Sequence, residues 1–396
     1  MPCGLSENRL NWIDVPSLML VTLFASLVGM AVFSTLWHTY PREKSFPLLA
    51  ASNLACLAGI ATMLLRPVIG TPASALSGNL LLPCAFLLTV AAFRQLQHSR
   101  MARWPWLIPP LLITVMSVIG FEPEKLGLRG QCYSVVAMLI TVILLVDCYR
   151  LRTRARGLGM ILLVCMGVVE FWVNGVRIVL IEMYPQTSVL QQHPGTVVIY
   201  LGGVIYLFLQ PLAFLLMYQQ QLHQRLEYRA DHDGLTELLN RHAFIRQASN
   251  LLQQAQQQQQ RLSLALIDLD WFKRINDSYG HQAGDAVLAH FAQLMRNELH
   301  NVAGSQNILL ARVGGEEFAA LWLGLSAKEA SLQMHRLRNV LAQHQLEWDG
   351  VPLTVTFSCG MAELTAEQQT FDELYSSADH LLYRAKDNGR DCLSLA

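Results

Sequence analysis

Charge is what this chain has least of. Only 15% of its 396 residues are Asp, Glu, Lys or Arg, and 29 basic residues match 29 acidic ones, for a formal net charge of zero. No broad basic surface is left to hold a polyanion, which argues against a nucleic-acid partner. Ordered cysteine spacing is missing too. Cys3, Cys56, Cys84, Cys132, Cys148, Cys165, Cys359 and Cys392 are scattered without a CxxC pair, so neither a zinc site nor a disulfide framework is indicated. Apolar residues fill the space, at 53% of the chain, a share that points to a membrane part.

The apolar excess crowds into residues 12–218, and ordinary densities of Asp, Glu, Gln, His and Arg return beyond them. Apolar runs of about 20 residues fall near 15–37, 46–65, 79–97, 104–121, 131–149, 158–181 and 195–217, predicting a helical bundle of seven spans in a lipid bilayer. The first run is too long, and too weakly preceded by basic residues, for a cleaved leader, so it is read as retained. Loops after spans one, three and five hold nine basic residues: Arg42, Lys44, Arg94, Arg100, Arg103, Arg150, Arg152, Arg154 and Arg156. The opposite side holds four: Arg9, Arg66, Lys125 and Arg129. Because Lys and Arg collect in cytoplasmic loops, the N-terminus is expected outside and everything after Tyr218 in the cytoplasm.

Within the sixth run, Glu170, Asn174 and Arg177 follow at i, i+4 and i+7 and share one helix face. Ionisable groups in a membrane are costly, and two readings stand: polar packing inside the bundle, with Arg177 snorkelling, or a sensing site. Asn53 reads as an interhelical hydrogen bond. Residues 218–232 read as a connector. Leu215, Leu222 and Leu226, at spacings of seven and four, fit either a short coiled-coil seam or the exit helix of the last span. "QQAQQQQQ", 253–260, is low-complexity surface helix.

The region 233–396 is long enough for one domain. Helices are expected at 241–258, 284–300, 326–345 and 371–388, and strands at 261–269, 307–313, 317–323, 353–362 and 391–395. Strand, helix, strand, strand, helix, strand is the split βαβ order, an α+β fold with a central antiparallel sheet and helices on one face.

Carboxylates sit where these strands end. Asp268 and Asp270 close the first strand, while Gly314, Gly315, Glu316 and Glu317 lie between the next two, so the acids converge at one sheet edge. Clustered carboxylates repel unless a cation neutralises them. Hard oxygen donors point to magnesium, which typically takes one or two carboxylates plus substrate phosphates. "DLDWFKRINDSYGHQAGD" then supplies Phe272 and Lys273 as phosphate donors, with His281 close by. Asn276 and Asp285 suit a guanine edge. Lys386 and Arg390, four apart on a predicted helix face, are free to reach phosphates. Each residue also has an ordinary structural reading: a turn Asp, a hairpin Gly-Gly, a solvated basic face.

Together, "DGLTELLNR" (233–241), "DLDWFKRINDSYGHQAGD" (268–285), "RVGGEEF" (312–318), "FSCGMA" (357–362) and "ADHLLYRAKDNGRD" (378–391) resemble the successive motifs of the GGDEF-domain diguanylate cyclases. The resemblance covers residues 230–396 and leaves 1–217 unassigned. It implies a palm-like, nucleotide-cyclase-like domain on the cytoplasmic side of a protein of the bacterial inner membrane, and a homodimer that condenses two GTP into cyclic di-GMP and two pyrophosphates. It also implies two magnesium ions per active site, or manganese, held by Asp268, the Leu269 carbonyl and Glu316, with Glu317 nearby. Glu316 falls at the position of a base for the ribose 3′-OH. Asn276, His281 and Asp285 fall at nucleotide positions, His281 serving structure equally well. Lys273, Lys386 and Arg390 fall at phosphate positions, and Gly314 and Gly315 where a side chain would crowd the nucleotide and resist the turn's backbone angles.

Two departures stand out. Family members often carry an Arg-x-x-Asp product-inhibition site, and Ser305 and Ile308 replace it here, so feedback through that site is expected to be weak or absent. Glu237 stands where the family usually has Gly, at a position expected to lie away from the chemistry. The competing readings are a catalytically silent GTP receptor or dimerisation platform, which loss of Asp268 or Glu316 would have favoured, and a transporter, for which no internal repeat speaks. Degradation of cyclic di-GMP is not expected, because these 396 residues offer no second domain to house a phosphodiesterase.

Overall fold

A computed structural model describes residues 14–99, 104–152, 157–184, 193–300, 308–344, 346–365 and 370–396. Cys3, Arg9, Arg100, Arg103, Arg154, Arg156 and Ser305 lie outside the described residues. The chain divides into two compact units, Met1–Leu222 and His223–Ala396.

The first unit is helical: α1 (Val15–Thr39), α2 (Ser45–Leu64), the single turn α3 (Arg66–Ile69), α4 (Thr71–Leu96), α5 (Ile108–Ile119), α6 (Leu126–Arg150), α7 (Leu158–Met183) and α8 (Pro194–Asp231), whose last turns belong to the second unit. Six of these, α1, α2, α4, α6, α7 and α8, are long and apolar enough to cross a membrane. The expected fourth span is the exception. It is a 3-10 turn followed by α5, whose 12 residues rise about 18 Å against a hydrocarbon core of about 30 Å. Pro105 lies in the 3-10 turn, Pro109 and Pro110 in the first turn of α5, and Gly120 stops the helix. Among the described residues, then, six helices and not seven are long and apolar enough to span, and the parity on which the sidedness of the N-terminus rested is not supported.

Outward positions are apolar: Leu20, Phe24, Val118 and Trp172 are among many large exposed side chains. Polar side chains turn inward instead. Asn53 Nδ2 donates to Gln210 Oε1 (3.1 Å), Gln210 Nε2 to Thr89 Oγ1 (2.8 Å), and Ser52 Oγ lies 3.0 Å from Thr89 Oγ1, tying α2, α4 and α8. Arg94 is in the last turn of α4 rather than in a loop, and forms a two-pronged ion pair with buried Asp147 of α6. This inside-out arrangement suits a lipid solvent, which offers polar groups no partners.

The second unit adds β1 (Leu239–Asn240), α9 (Arg241–Gln258), β2 (Leu262–Leu269), α10 (Phe272–Tyr279), α11 (His281–His300), β3 (Ile308–Arg312), β4 (Glu317–Leu323), α12 (Ala327–Gln343), β5 (Leu346–Trp348), β6 (Val351–Leu353), β7 (Phe357–Glu363), α13 (Phe371–Asp387) and β8 (Leu393–Leu395). The six-stranded sheet has the order β1-β3-β4-β2-β7-β8. Its centre is antiparallel, but β1 pairs parallel with β3 and β8 parallel with β7. The sheet is thus mixed, where an antiparallel one was expected.

Helices cover both faces, not one. Every residue of β2 is buried. Ala265, Ile267 and Leu269 pack with Phe291 of α11 and Met334 of α12, whereas Leu262, Leu264 and Leu266 pack with Phe244 of α9 and Leu382 of α13. A strand apolar on alternate and intervening positions alike needs cover on both sides. Gly360 lets α13 lie close, because a Cβ there would strike the backbone of Ala378 and Leu382. The strand expected at 353–362 divides. Residues 351–353 pair with β5 across Asp349-Gly350, both at positive φ (49° and 78°), and β7 starts afresh at Phe357. An Asp-Gly pair of this kind is a hairpin signal.

Candidate active site

The sheet register sets the acids together. β2 and β4 run antiparallel with Asp268 opposite Glu317, and the Leu269 N–H donates to the Glu316 carbonyl at 3.2 Å. The end of β2 and the start of β4 are therefore one edge. Asp268 is only 6% exposed, Glu316 is half-buried and Glu317 is exposed.

The turn between β3 and β4 is closed by Val313 and Gly314, whose N–H groups donate to the Glu317 carbonyl at 2.9 and 3.2 Å. Neither Gly314 nor Gly315 has positive φ, so the expected backbone reason for them does not hold. At Gly314 a Cβ would press on the carboxylate end of exposed Glu317, a side chain free to shift, and none of the surrounding atoms restricts Gly315. Arg312 completes the turn: its Nε and Nη2 donate to the Gly315 carbonyl at 3.1 and 2.8 Å and its Nη1 to Asp233 Oδ1 at 3.1 Å. Asp233 also accepts from the Thr236 N–H (2.8 Å) and hydroxyl (2.7 Å). Sequence reasoning gave neither residue a role; opposite charges opening "DGLT" and "RVGG" were the signal.

Lys386, in the last turn of α13, reaches Asp268 Oδ2 at 2.7 Å. Burial pushes the Asp268 carboxyl above its ordinary range and the charge of Asp270 adds to this, while the Lys386 bond and the charges of Lys386 and Arg390 oppose it. Burial likewise raises Glu316, with Asp268 and Glu317 adding and Lys386 opposing. Two neighbouring carboxyls, both raised by burial in a partly dry site, favour an added cation.

Arg390 is not on the helix face of Lys386, as expected from their spacing. The helix ends at Asp387 and Gly389 takes φ 105°, so Arg390 follows at φ 66° beyond the helix. Its guanidinium stacks on Trp271, 4.2 Å from the ring centroid. Asp270 anchors this segment. Buried, it accepts from Thr356 Oγ1 (2.8 Å), Ser358 Oγ (2.7 Å) and the Asp391 N–H (3.0 Å), so its oxygens serve the fold.

The loop expected ahead of residue 284 contains α10. Its N-cap, Trp271, is left-handed (φ 57°) with no side-chain cap, which leaves the first N–H groups at Phe272 and Lys273 open to an anion. Lys273 is exposed; Phe272 is buried in the core. His281 and Asp285 are exposed one turn apart on α11, and Asn276 is half-buried on α10. Gly284 was missed: a Cβ there would collide with Asn276 Oδ1, so this glycine keeps the place of the Asn276 amide. Ile308 opens β3 with its side chain in the core.

Among the described residues no three His, Cys, Asp or Glu side chains close into a metal cage. Two carboxylates and a main-chain carbonyl are what remain, and that set fits a hard divalent cation sharing its shell with phosphate oxygens and water, not a closed structural site.

Comparison with known proteins places this half of the chain in a family. Residues 230–392 match the family described as diguanylate cyclase, GGDEF domain. This half of the chain is a GGDEF domain, and its homologues include diguanylate cyclases. Diguanylate cyclase DgcS of Shewanella oneidensis is 34% identical over 190 residues, 48% of this chain and 59% of the relative. Probable diguanylate cyclase DgcE of Escherichia coli K12 is 36% identical over 171 residues, 43% of this chain and 15% of the relative. The chain thus spans less than two thirds of either. The GGDEF domain of DgcB from Caulobacter crescentus, solved with c-di-GMP, is 31% identical, covering 42% of this chain and 93% of that one at a TM-score of 0.39.

Proposed function

We propose that the protein is a membrane-bound diguanylate cyclase, condensing two GTP into cyclic di-GMP and two pyrophosphates as a homodimer, under control of its helical unit. The observation that carries this reading is the acid pair at the end of β2 and start of β4, complete and paired with Lys386. A silent GTP receptor would not need both acids.

A divalent cation, magnesium by preference and manganese as a substitute, would be held by Asp268, the Leu269 carbonyl and Glu316, with Glu317 beside them, and would supply charge neutralisation for triphosphate and transition state. Glu316, raised by burial and by Asp268, is suited to take the proton of a 3′-OH. The oxygen then attacks the α-phosphate of the GTP held by the facing domain, the bond to the β-phosphate breaks, and pyrophosphate leaves. Lys386, Lys273 and Arg390 would meet the charge that develops, with the N–H groups opening α10. Asn276 and Asp285 would read the guanine edge, with His281 at the neighbouring position.

The catalytic domain is assigned to the cytoplasmic face of a bacterial inner membrane, where GTP and magnesium are available. Residues 1–217 would form the sensor, with Glu170, Asn174 and Arg177 part of it, and 218–232 the connector. Leu222 and Leu226 on α8 are exposed, as a seam awaiting a second copy would be. With Ile308 buried and Ser305 uncharged, product feedback through that site is expected to be weak or absent. The test is product identity: the full chain in nanodiscs with GTP and magnesium, analysed by mass spectrometry. Cyclic di-GMP is expected; GTP left unchanged, or hydrolysed to GDP, would contradict the proposal.

A further inference from the structure

At one end of the helical unit, the ends of α2, α4, α6, α7 and α8 surround a cavity of about 110 Å³ walled by three arginines, Arg66, Arg129 and Arg177. Arg129 is 4% exposed; its Nη1 donates to the carbonyls of Gly120 (2.6 Å) and Glu122 (3.3 Å), but its Nη2 is buried with no partner. Arg177 is in the same position: Nη1 donates to Ser134 Oγ at 3.3 Å, the guanidinium lies over the Tyr133 ring at 5.5 Å, and Nε is buried and unpartnered. Arg66 Nε donates to Thr71 Oγ1 at 3.3 Å.

None of the three pairs with a carboxylate among the described residues. Glu122 pairs with Lys125, and Glu182 accepts from Gln131. Glu170, on the same helix as Arg177, accepts from Asn174. The carboxylates of Glu122 and Glu170 lie near enough to act electrostatically on Arg129 and Arg177 but pair with neither guanidinium, so the unpartnered N–H groups of the two arginines remain costly, and inside a membrane bundle such groups mark a pathway or a ligand.

A second cavity of about 80 Å³ shares four wall residues with the first, Leu82, Tyr133, Ile199 and Tyr200. Its surface is largely apolar, and its polar walls are already engaged: Ser52, Thr89 and Gln210 with one another, Glu170 with Asn174. The two spaces are thus polarised. A negative group belongs among the arginines, and an apolar body fits the second space.

We infer that the paired cavities bind one small anionic amphiphile, its carboxylate or phosphate head among Arg66, Arg129 and Arg177 and a short apolar body in the second space. Ile199 and Tyr200, which wall both spaces, lie on α8, the helix that continues to Asp231. Occupancy therefore bears on the element that leads into the catalytic half. The inference rests on the membrane reading of residues 1–217 and not on the cyclase reading, and its test uses no turnover.

The test is retention of radiolabelled octanoate by the full chain in phosphatidylcholine nanodiscs, with empty discs as background. Saturable retention is expected, weakened at least 10-fold in Arg129→Gln and Arg66→Gln and not displaced by octanol. Arg66 is only half-buried, so its variant keeps the test open if Arg129→Gln fails to assemble. Discs doped with phosphatidylglycerol identify the source: blocked retention assigns the site to a lipid headgroup, unaltered retention to a free anion. No saturable retention above empty discs, or retention unchanged in the arginine variants, would overturn the inference.

Discussion

Lys386 Nζ lies 2.7 Å from Asp268 Oδ2, joining the last turn of α13 to the end of the central strand β2. The contact gives Asp268 a positive partner at the oxygen that a divalent cation would occupy. A bound cation would compete with the lysine for this carboxylate, and a lysine so displaced would be free to meet the phosphates.

That competition makes Lys386→Met informative. The turnover number should fall about 100-fold, the size of effect seen when one preorganised donor to a developing charge is removed. The magnesium concentration needed for half-maximal rate should fall as well, because the competitor is gone. A magnesium titration of cyclic di-GMP synthesis reads both. Unchanged turnover, or a higher magnesium requirement, would refute the competition.

Gly284→Ala tests the nucleotide side. Alanine is favoured over glycine in a helix interior by about 1 kcal/mol, so the fold should tolerate the change. The added methyl collides with Asn276 Oδ1 and should cost one guanine hydrogen bond, about 1–1.5 kcal/mol, or roughly tenfold in KM for GTP. Unaltered KM in a variant that melts normally would remove Asn276 from the nucleotide site.

Glu237 holds φ 56°, a left-handed position, although it is not glycine. An L-residue there is disfavoured by about 1–2 kcal/mol, and its ion pair with Arg296 is exposed and contributes little. Glu237→Gly should therefore raise the stability of the C-terminal unit by about 0.5–1 kcal/mol without altering turnover. Denaturant unfolding of the full chain, followed in that unit, checks it; lower stability would show that the ion pair outweighs the strain.

Two windows of pH dependence follow from the carboxyls. Asp268 and Glu316 are raised above 3.8 and 4.5 by burial, so the fold disfavours their ionised forms. That penalty is fully present above their folded pKa values and fades as pH falls toward the unfolded ones. Protection of β2 and β4 amides from hydrogen exchange should accordingly increase on mild acidification, less so in Glu316→Gln. Asp233 behaves oppositely. Burial raises it, but hydrogen bonds from Thr236 and Arg312 more than offset this and hold it below 3.8. Its contribution is present above 3.8 and lost as pH falls through the depressed value. Protection that declines from neutral pH downward without an intervening rise would contradict the assignment.

The site was more legible in the sequence than its surroundings. Asp268, Glu316 and Glu317 were placed at one edge because strand ends in an alternating pattern can be read from hydropathy alone. The two-sided burial of the sheet was present in "LSLALIDL" as apolar residues at odd and even positions, yet the strand order used to read it suggested cover on one side. Arg390 was misplaced because i, i+4 spacing was extended through Asn388 and Gly389, where the helix stops. Arg312, Asp233 and Gly284 act through turns and contacts between distant segments, which periodicity does not report. In the helical half, composition marked the apolar runs well, but α5 shows that three prolines can shorten one below the length of a span.

The measurement closest to the central claim is the yield of cyclic di-GMP and pyrophosphate from GTP by the full chain in nanodiscs with magnesium, wild type beside Glu316→Gln and Asp268→Asn. Two pyrophosphates per cyclic di-GMP from wild type, and loss of at least 100-fold in both variants, is the predicted result. Product formation that survives either substitution would show that the chemistry does not run through the acids at this edge.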